Sequence, residues 1–228
     1  DAHAVATDVT SATAVLSLMG PRSRDLLETI TDADLSNDAF PFGTSQEIDV
    51  GYARLRASRI SYVGELGWEL YVPTEMARHV FDVITEAGPK FGLKLAGYHA
   101  LNSLRIEKAY RHWGDDIADE DTPLEAGLQF AIDWNHDFIG RDALQKQRGQ
   151  GVTRRLTQFL LKDSTKLLYH NEPIWRDNQI VGHITSGMFA HTMGAAVGLG
   201  YVLRPDGGVV DAAFIEAGSY EIEVACER

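Results

Sequence analysis

Residues 58–73, Ser-Arg-Ile-Ser-Tyr-Val-Gly-Glu-Leu-Gly-Trp-Glu-Leu-Tyr-Val-Pro, set one carboxylate, Glu65, between Gly64 and Gly67 with strand-like sequence on both sides. Tyr62 and Trp68 each stand three residues from it. A carboxylate held at a turn among aromatic rings suits a flat, nitrogen-rich ligand. It can accept two parallel hydrogen bonds from an amidine-like edge, as it would from a guanidinium fork. The same spacing also suits a β-hairpin with an exposed glutamate at its tip.

Other side chains invite chemistry less strongly. Arg105, in Asn102-Ser-Leu-Arg-Ile-Glu-Lys108, carries the planar fork that pairs with a ligand carboxylate. Its plainer alternative is a surface charge network with Lys108, three residues on along a helix. Glu107 is two residues from Arg105 and so points elsewhere, which fits a local cap or pair. The run Tyr110-Arg-His-Trp-Gly-Asp-Asp116 follows that helix directly. It suits either a pocket-lining loop or a segment whose Trp113 plugs the junction between two domains. Thr122-Pro-Leu-Glu125 has the form of a capping box, so Glu125 reads as structural. His99, His112, His170, His183 and His191 lack the spacing of a zinc helix with a third ligand. Ser186 and His191 have no nucleophile elbow around them, and no Gly-rich phosphate fingerprint is present.

The elements that must hold these residues follow from periodicity. Residues 12–19 read as a buried strand, and Gly20-Pro21 opens a helix with Leu26, Leu27 and Ile30 inward. Residues 32–43 read as a loop. Residues 48–60 read as one strand, which the Glu65 turn joins to a second at 68–72. Thr74 is expected to cap a helix carrying Met76, Val80, Val83, Ile84 and Ala87, stopped by Gly88-Pro89. Residues 97–110 form another helix with Leu101 and Leu104 inward. This order describes an α+β layer on a mainly antiparallel sheet. From about Val152 short β-rich runs alternate with turns, the clearest being Pro205-Asp-Gly-Gly208. They are expected at 155–161, 172–175, 179–186, 195–202 and 220–225, which makes a small barrel or sandwich. The best boundary is 148–152, giving domains 1–150 and 151–228.

Composition narrows the function classes. The 228 residues are 44% apolar and 24% charged, ordinary for a globular protein with a sizeable core. A net charge of −12 argues against nucleic acid or an anionic membrane as the main partner. Cys226 is the only cysteine, so no intramolecular disulfide or thiolate cluster forms, and a reducing compartment fits. No apolar run approaches a membrane span. The first residues, Asp1-Ala-His, carry no methionine, which fits a processed chain or a piece of a longer one.

The ordered motifs resemble the glycine cleavage system T-protein (aminomethyltransferase) family. Tyr62-Val-Gly-Glu-Leu-Gly resembles its Gly-Tyr-Thr-Gly-Glu-Asp-Gly segment, and Ser103-Leu-Arg-Ile-Glu107 resembles its Ser-Leu-Arg-Leu-Glu. Asp115-Asp-Ile, Thr122-Pro-Leu-Glu-Ala-Gly127, Phe138-Ile-Gly-Arg-Asp-Ala-Leu144, Ser186-Gly and Gly198-Leu-Gly-Tyr-Val202 follow in the family's order. Gly64-Glu-Leu-Gly-Trp-Glu-Leu-Tyr-Val-Pro73 and Glu107-Lys-Ala-Tyr-Arg-His-Trp-Gly114 resemble in particular the C-terminal folate domain of dimethylglycine and sarcosine dehydrogenases.

The resemblance implies an α+β folate-binding domain, partial at its N-terminus, followed by a C-terminal β-barrel. It implies tetrahydrofolate-dependent transfer of a one-carbon unit, with a flavin domain elsewhere oxidising an N-methyl amine. FAD would therefore enter only through a missing or separate domain or subunit. Glu65 would face the pterin edge, Tyr62 would wall the pocket and Arg105 would meet an anionic part of the ligand. The family's catalytic Asp lies in a segment before the part matched here and no Asp of this chain matches it, so the catalytic residue is unknown. That departure implies a rival, a non-catalytic folate-binding or scaffold protein. A folate-dependent demethylase is a lesser alternative. The related iron–sulfur assembly branch carries a Cys in its glutamate motif that Ser61-Tyr-Val-Gly-Glu65 lacks. Localisation would be the cytoplasm of a bacterium or the mitochondrial matrix of a eukaryote.

Overall fold

A computed structural model describes residues 3–228. It divides into two compact units, Asp1–Gly97 and Tyr98–Arg228. Among the described residues no helix is long and apolar enough to cross a membrane.

The first unit is a four-stranded antiparallel sheet with helices on one face. Its strands are β1 (Thr13–Met19), β2 (Ser45–Val50), β3 (Ala53–Ser58) and β4 (Gly67–Pro73), in the order β1-β4-β3-β2. The single strand expected over 48–60 is two strands, because the chain turns at Gly51-Tyr52. There the Tyr52 amide donates to His79 Nε2 at 2.9 Å. Alternation along β4 sends Trp68, Leu70 and Val72 inward. They pack with Leu26 and Leu27 of α1 (Ser23–Leu27), Phe40, and Val80 and Ile84 of α2 (Ala77–Ala87). The first helix is shorter than expected, so Ile30 lies beyond it. Thr74 does not cap α2; its hydroxyl reaches Ser11 O at 2.8 Å and ties the helix entry to the start of β1.

The second unit begins with α3 (Tyr98–Glu107) and includes α4 (Arg141–Gln150) and α5 (Ala212–Ala217). Its strands are β5 (Arg154–Leu160), β6 (Pro173–Arg176), β7 (Gln179–Ala190), β8 (Ala195–Leu203) and β9 (Tyr220–Ile222). They form one antiparallel sheet in the order β5-β8-β7-β6-β9. Strand β8 is buried on both faces from Ala195 to Val202. Ala196 and Val202 join a cluster with Leu168, Ile174 and Ile184, while Val197, Leu199 and Tyr201 face Ile106 of α3.

The inward face of α3 is not the expected one. Leu104 is 38% exposed, while Ser103, Arg105 and Ile106 are buried. Polar residues hold that face: the Ser103 hydroxyl donates to Phe189 O at 2.7 Å, and Gln158 Nε2 donates to Ile106 O at 2.7 Å.

Candidate functional site

The Glu65 segment is an eight-residue connection, 59–66, closed by hydrogen bonds at both ends. Arg59 exchanges backbone hydrogen bonds with Gly43 and Thr44, at 2.9 Å each. The Ser61 hydroxyl accepts from the amides of Val63 (3.3 Å) and Glu65 (3.1 Å). Gly64 has φ +73°, a conformation that glycine adopts without steric cost. Leu66 O accepts from the Gly20 amide at 2.8 Å and the Ser23 hydroxyl at 2.9 Å. Gly67 lies so close to β1 that a Cβ would stand 2.5 Å from Leu18 O and 2.9 Å from Met19 Cα. Both glycines around Glu65 thus answer to the backbone, and the glutamate side chain between them is exposed. Gly67→Ala is expected to cost about 1–3 kcal/mol, as overpacking against backbone does. Urea unfolding would read it, and a loss no larger than that of an exposed alanine substitution would contradict the close approach.

Trp68 is not a pocket wall. It is fully buried in the core of the first unit, edge-to-face with Phe40 at 6.1 Å between ring centroids. Tyr62 is half-buried.

The more sheltered carboxylate of the segment is Glu69, which sequence reasoning passed over. It lies on the β4 face opposite Trp68 and is half-buried. It is flanked in register by Ser17 on β1 and Ser58 on β3, and Ser58 pairs with Ser45 on β2. A polar row therefore crosses all four strands. The Tyr71 hydroxyl donates to Glu69 Oε2 at 2.7 Å, and that hydrogen bond, with burial and the carboxylate's charge, raises the Tyr71 pKa. The period-two alternation Trp68, Leu70, Val72 against Glu69, Tyr71 was the available signal.

Arg105 belongs to the second unit, where it is 3% exposed and no part of a surface network. Its Nη1 pairs with Asp116 Oδ2 at 2.6 Å and donates to Tyr110 O at 3.0 Å. Its Nη2 donates to Ser186 Oγ at 2.9 Å and its Nε to Asn102 Oδ1 at 3.2 Å. Asp116 also accepts from the His112 amide at 2.9 Å and the Thr185 hydroxyl at 2.5 Å. The pair is buried with its hydrogen bonds made, the condition under which buried charges persist. It clamps α3, the loop 110–117 and β7 together.

A cavity of about 450 Å³ opens beside this clamp, lined by Tyr98, His99, Asn102, Arg105, His183 and Ser186 among others. The Tyr98 hydroxyl and His112 Nε2 are 2.7 Å apart nearby. Trp113 is 67% exposed and bridges to Ile117 within its own loop. Glu107 reaches far from its own helix: its Oε1 accepts from the Thr192 amide at 2.9 Å. No three His, Cys, Asp or Glu side chains among the described residues are placed to hold a metal ion.

The capping box forms, around a turn rather than a helix. Glu125 Oε2 accepts from the Thr122 amide (3.0 Å) and hydroxyl (2.9 Å), while the Glu125 amide donates to Thr122 Oγ1 at 3.2 Å. Arg154 Nε stands 3.3 Å from Glu125 Oε1. Burial pushes the Glu125 pKa up, but the bonds from Thr122 and Arg154 outweigh it and hold the group below its ordinary 4.5. A depressed folded-state pKa stabilises the fold above the unfolded value, and that share is lost as pH falls through the folded value. Glu125→Gln should therefore be less stable than the parent at neutral pH, with the gap narrowing below pH 4.5. Urea midpoints across that range would test it, and a gap independent of pH would refute it.

Residues 2–136 match the GCVT N-terminal domain family, and residues 154–228 match the glycine cleavage T-protein C-terminal barrel domain. The chain is 44% identical over 211 residues to the mitochondrial sarcosine dehydrogenase of Mus musculus, covering 92% of this chain and 23% of that protein. It is 34% identical over 218 residues to the aminomethyltransferase of Caldanaerobacter subterraneus subsp. tengcongensis, covering 95% of this chain and 55% of that protein. It is 40% identical over 240 residues, spanning 100% of this chain and 27% of that protein, to the mitochondrial pyruvate dehydrogenase phosphatase regulatory subunit of Mus musculus. Among solved structures, the glycine cleavage system aminomethyltransferase T of Bartonella henselae matches with TM-score 0.72 and 26% identity, over 83% of this chain and 51% of that one. The chain thus spans about a quarter of the dehydrogenases it matches and about half of the aminomethyltransferases. With both domain families matched in order and the aminomethyltransferase fold shared, the chain belongs to the glycine cleavage T-protein family.

Proposed function

We propose that this chain is the folate-binding region of a flavin-dependent N-methyl amine dehydrogenase of the sarcosine or dimethylglycine type. The observation that carries this is the 44% identity to a sarcosine dehydrogenase over nearly the whole chain, against 34% to an aminomethyltransferase. In this reading residues 1–150 form the folate domain and 151–228 the barrel domain, and FAD sits in a separate domain or subunit. Tetrahydrofolate, held by this chain, would supply the N5 and N10 nitrogens that take the one-carbon unit from an iminium formed by amine oxidation, with their protons passing to the released amine and to solvent. The chain's part is orientation, which can supply much of the rate of such a step.

Glu65 and Tyr62 are assigned to the pterin, and Glu69 offers a second carboxylate on the same segment. The chemistry of these donors and acceptors fits, because an ionised carboxylate is acceptor-only and the amidine-like edge presents parallel N–H groups. Arg105 is assigned to an anionic part of the ligand, with Asp116 fixing its orientation. Isothermal titration with tetrahydrofolate tests the reading, and absence of binding by the chain would overturn it. In this reading the chemistry takes place in the mitochondrial matrix of a eukaryote or the cytoplasm of a bacterium, supported by the word mitochondrial in the names of two dehydrogenase relatives.

A second reading has its own support: the 40% match across the whole chain is to a regulatory subunit. There the fold would bind folate or a protein without turnover. A folate-dependent transfer assay on the full polypeptide separates the two, because measurable transfer excludes the scaffold. Free formaldehyde instead of methylenetetrahydrofolate would indicate a demethylating oxidase, the product named for the 4-methylaminobutanoate oxidase of Paenarthrobacter nicotinovorans, 42% identical over 220 residues.

A further inference from the structure

We propose that Arg24, Asn37 and Arg59 of the first unit form a binding site for a small oxyanion, a phosphate or a carboxylate. Arg24 comes from α1, Asn37 from the loop between α1 and β2, and Arg59 from the end of β3. Arg24 Nη2 and Arg59 Nη2 both donate to one atom, Asn37 Oδ1, at 2.7 and 2.8 Å. Both guanidinium carbons lie 5.9 Å from the centroid of the buried Trp68 ring.

Two cations are thus drawn together by a neutral amide. The neighbouring Arg22 and Arg54 have carboxylate partners, Asp25 and Glu47. Neither Arg24 nor Arg59 has an ion-pair partner among the described residues, in a chain with a net charge of −12. The Nε–H of each is enclosed by protein with no acceptor. Arg59 Nη1 reaches only a neutral group, Phe40 O, at 2.6 Å. Burial and then the Arg24 charge lower the Arg59 pKa, as expected of a cation held without a counter-ion. Trp68 offers both cations a ring and no net charge. Asn37 is exposed, so the shared acceptor opens to solvent. An anion seated beside Asn37 Oδ1, against the two Nη2 groups, would supply the missing charge, and guanidinium is the cation favoured in phosphate and carboxylate recognition.

The site does not depend on the folate reading, and its test uses other ligands. Thermal unfolding of the chain would be followed in inorganic phosphate and in glutarate, against chloride at matched pH and ionic strength. Binding to the folded state should give a saturable midpoint rise of about 5 °C at some fifty times the dissociation constant. The anion with the larger rise identifies whether the site takes a phosphate or a carboxylate. Asn37→Asp supplies the missing carboxylate from within the chain. It should raise the midpoint in chloride and weaken the anion response at least tenfold. Arg24→Gln should remove the response without the gain in chloride. No saturable response to either anion in the parent, or an undiminished response in Asn37→Asp, would overturn the proposal.

Discussion

In urea titrations followed by circular dichroism, Asp116→Ala is expected to lose about 3–5 kcal/mol of unfolding free energy, the usual cost of removing one member of a buried ion pair. The loss arises mainly from what remains. Arg105, 3% exposed, would keep its full charge inside the second unit with only Tyr110 O, Ser186 Oγ and Asn102 Oδ1 for company. The His112 amide would lose its acceptor as well, and the Thr185 hydroxyl would keep only Leu199 O at 3.1 Å. Asp116→Asn keeps an oxygen for those donors and removes only the charge, so it should fall between the parent and the alanine variant. Arg105→Met with Asp116→Leu removes both charges and should recover much of the loss of Asp116→Ala, because buried pairs are often replaceable by apolar side chains of similar volume. A loss below about 1 kcal/mol for Asp116→Ala would mean that the pair behaves as an exposed one.

Glu65→Ala is expected to weaken tetrahydrofolate binding about 10- to 100-fold, the equivalent of a charge-assisted contact of roughly 1.5–3 kcal/mol. Because its side chain is exposed while Ser61, Gly64 and Leu66 fix the loop backbone, the thermal midpoint should hardly move. Glu69→Gln is the companion measurement, since it removes charge from the more sheltered position while leaving an acceptor for Tyr71. If Glu65→Ala binds normally and Glu69→Gln does not, the pterin contact belongs to Glu69. If neither variant weakens binding, no carboxylate of this segment holds the ligand and that assignment is lost.

Much of this fold could be read in the residues, and the failures have physical causes. The five strands of the second unit were legible because each is a short β-rich run bounded by turn residues. The apolar stripe of α2 was legible because helical spacing and burial coincide there. On α3 the rule misled: Leu104 is exposed while Ser103 and Arg105 are buried. Those two residues are inward because β7 supplies Phe189 O and Ser186 Oγ, partners over eighty residues away that no local pattern reveals. Glu107 was misjudged for the same reason, as its partner is the Thr192 amide. Trp68 sat among residues that suggest a ring-binding site, yet alternation along β4 already assigned it to the core and Glu69 to the other face. The motif drew attention to Glu65, and the simpler period-two rule pointed four residues further on.

The clamp of Arg105 and Asp116 bears on how such a chain can be inherited. A gene divided after Gln150 would give one polypeptide with the charged pair and another with Ser186 and Thr185, which complete its hydrogen bonds. The first product would carry two ionised groups without the hydroxyls that complete their hydrogen bonds. Any break between Asp116 and Thr185 would thus part the pair from the hydroxyls that complete its hydrogen bonds, even where two sequence families meet within the unit.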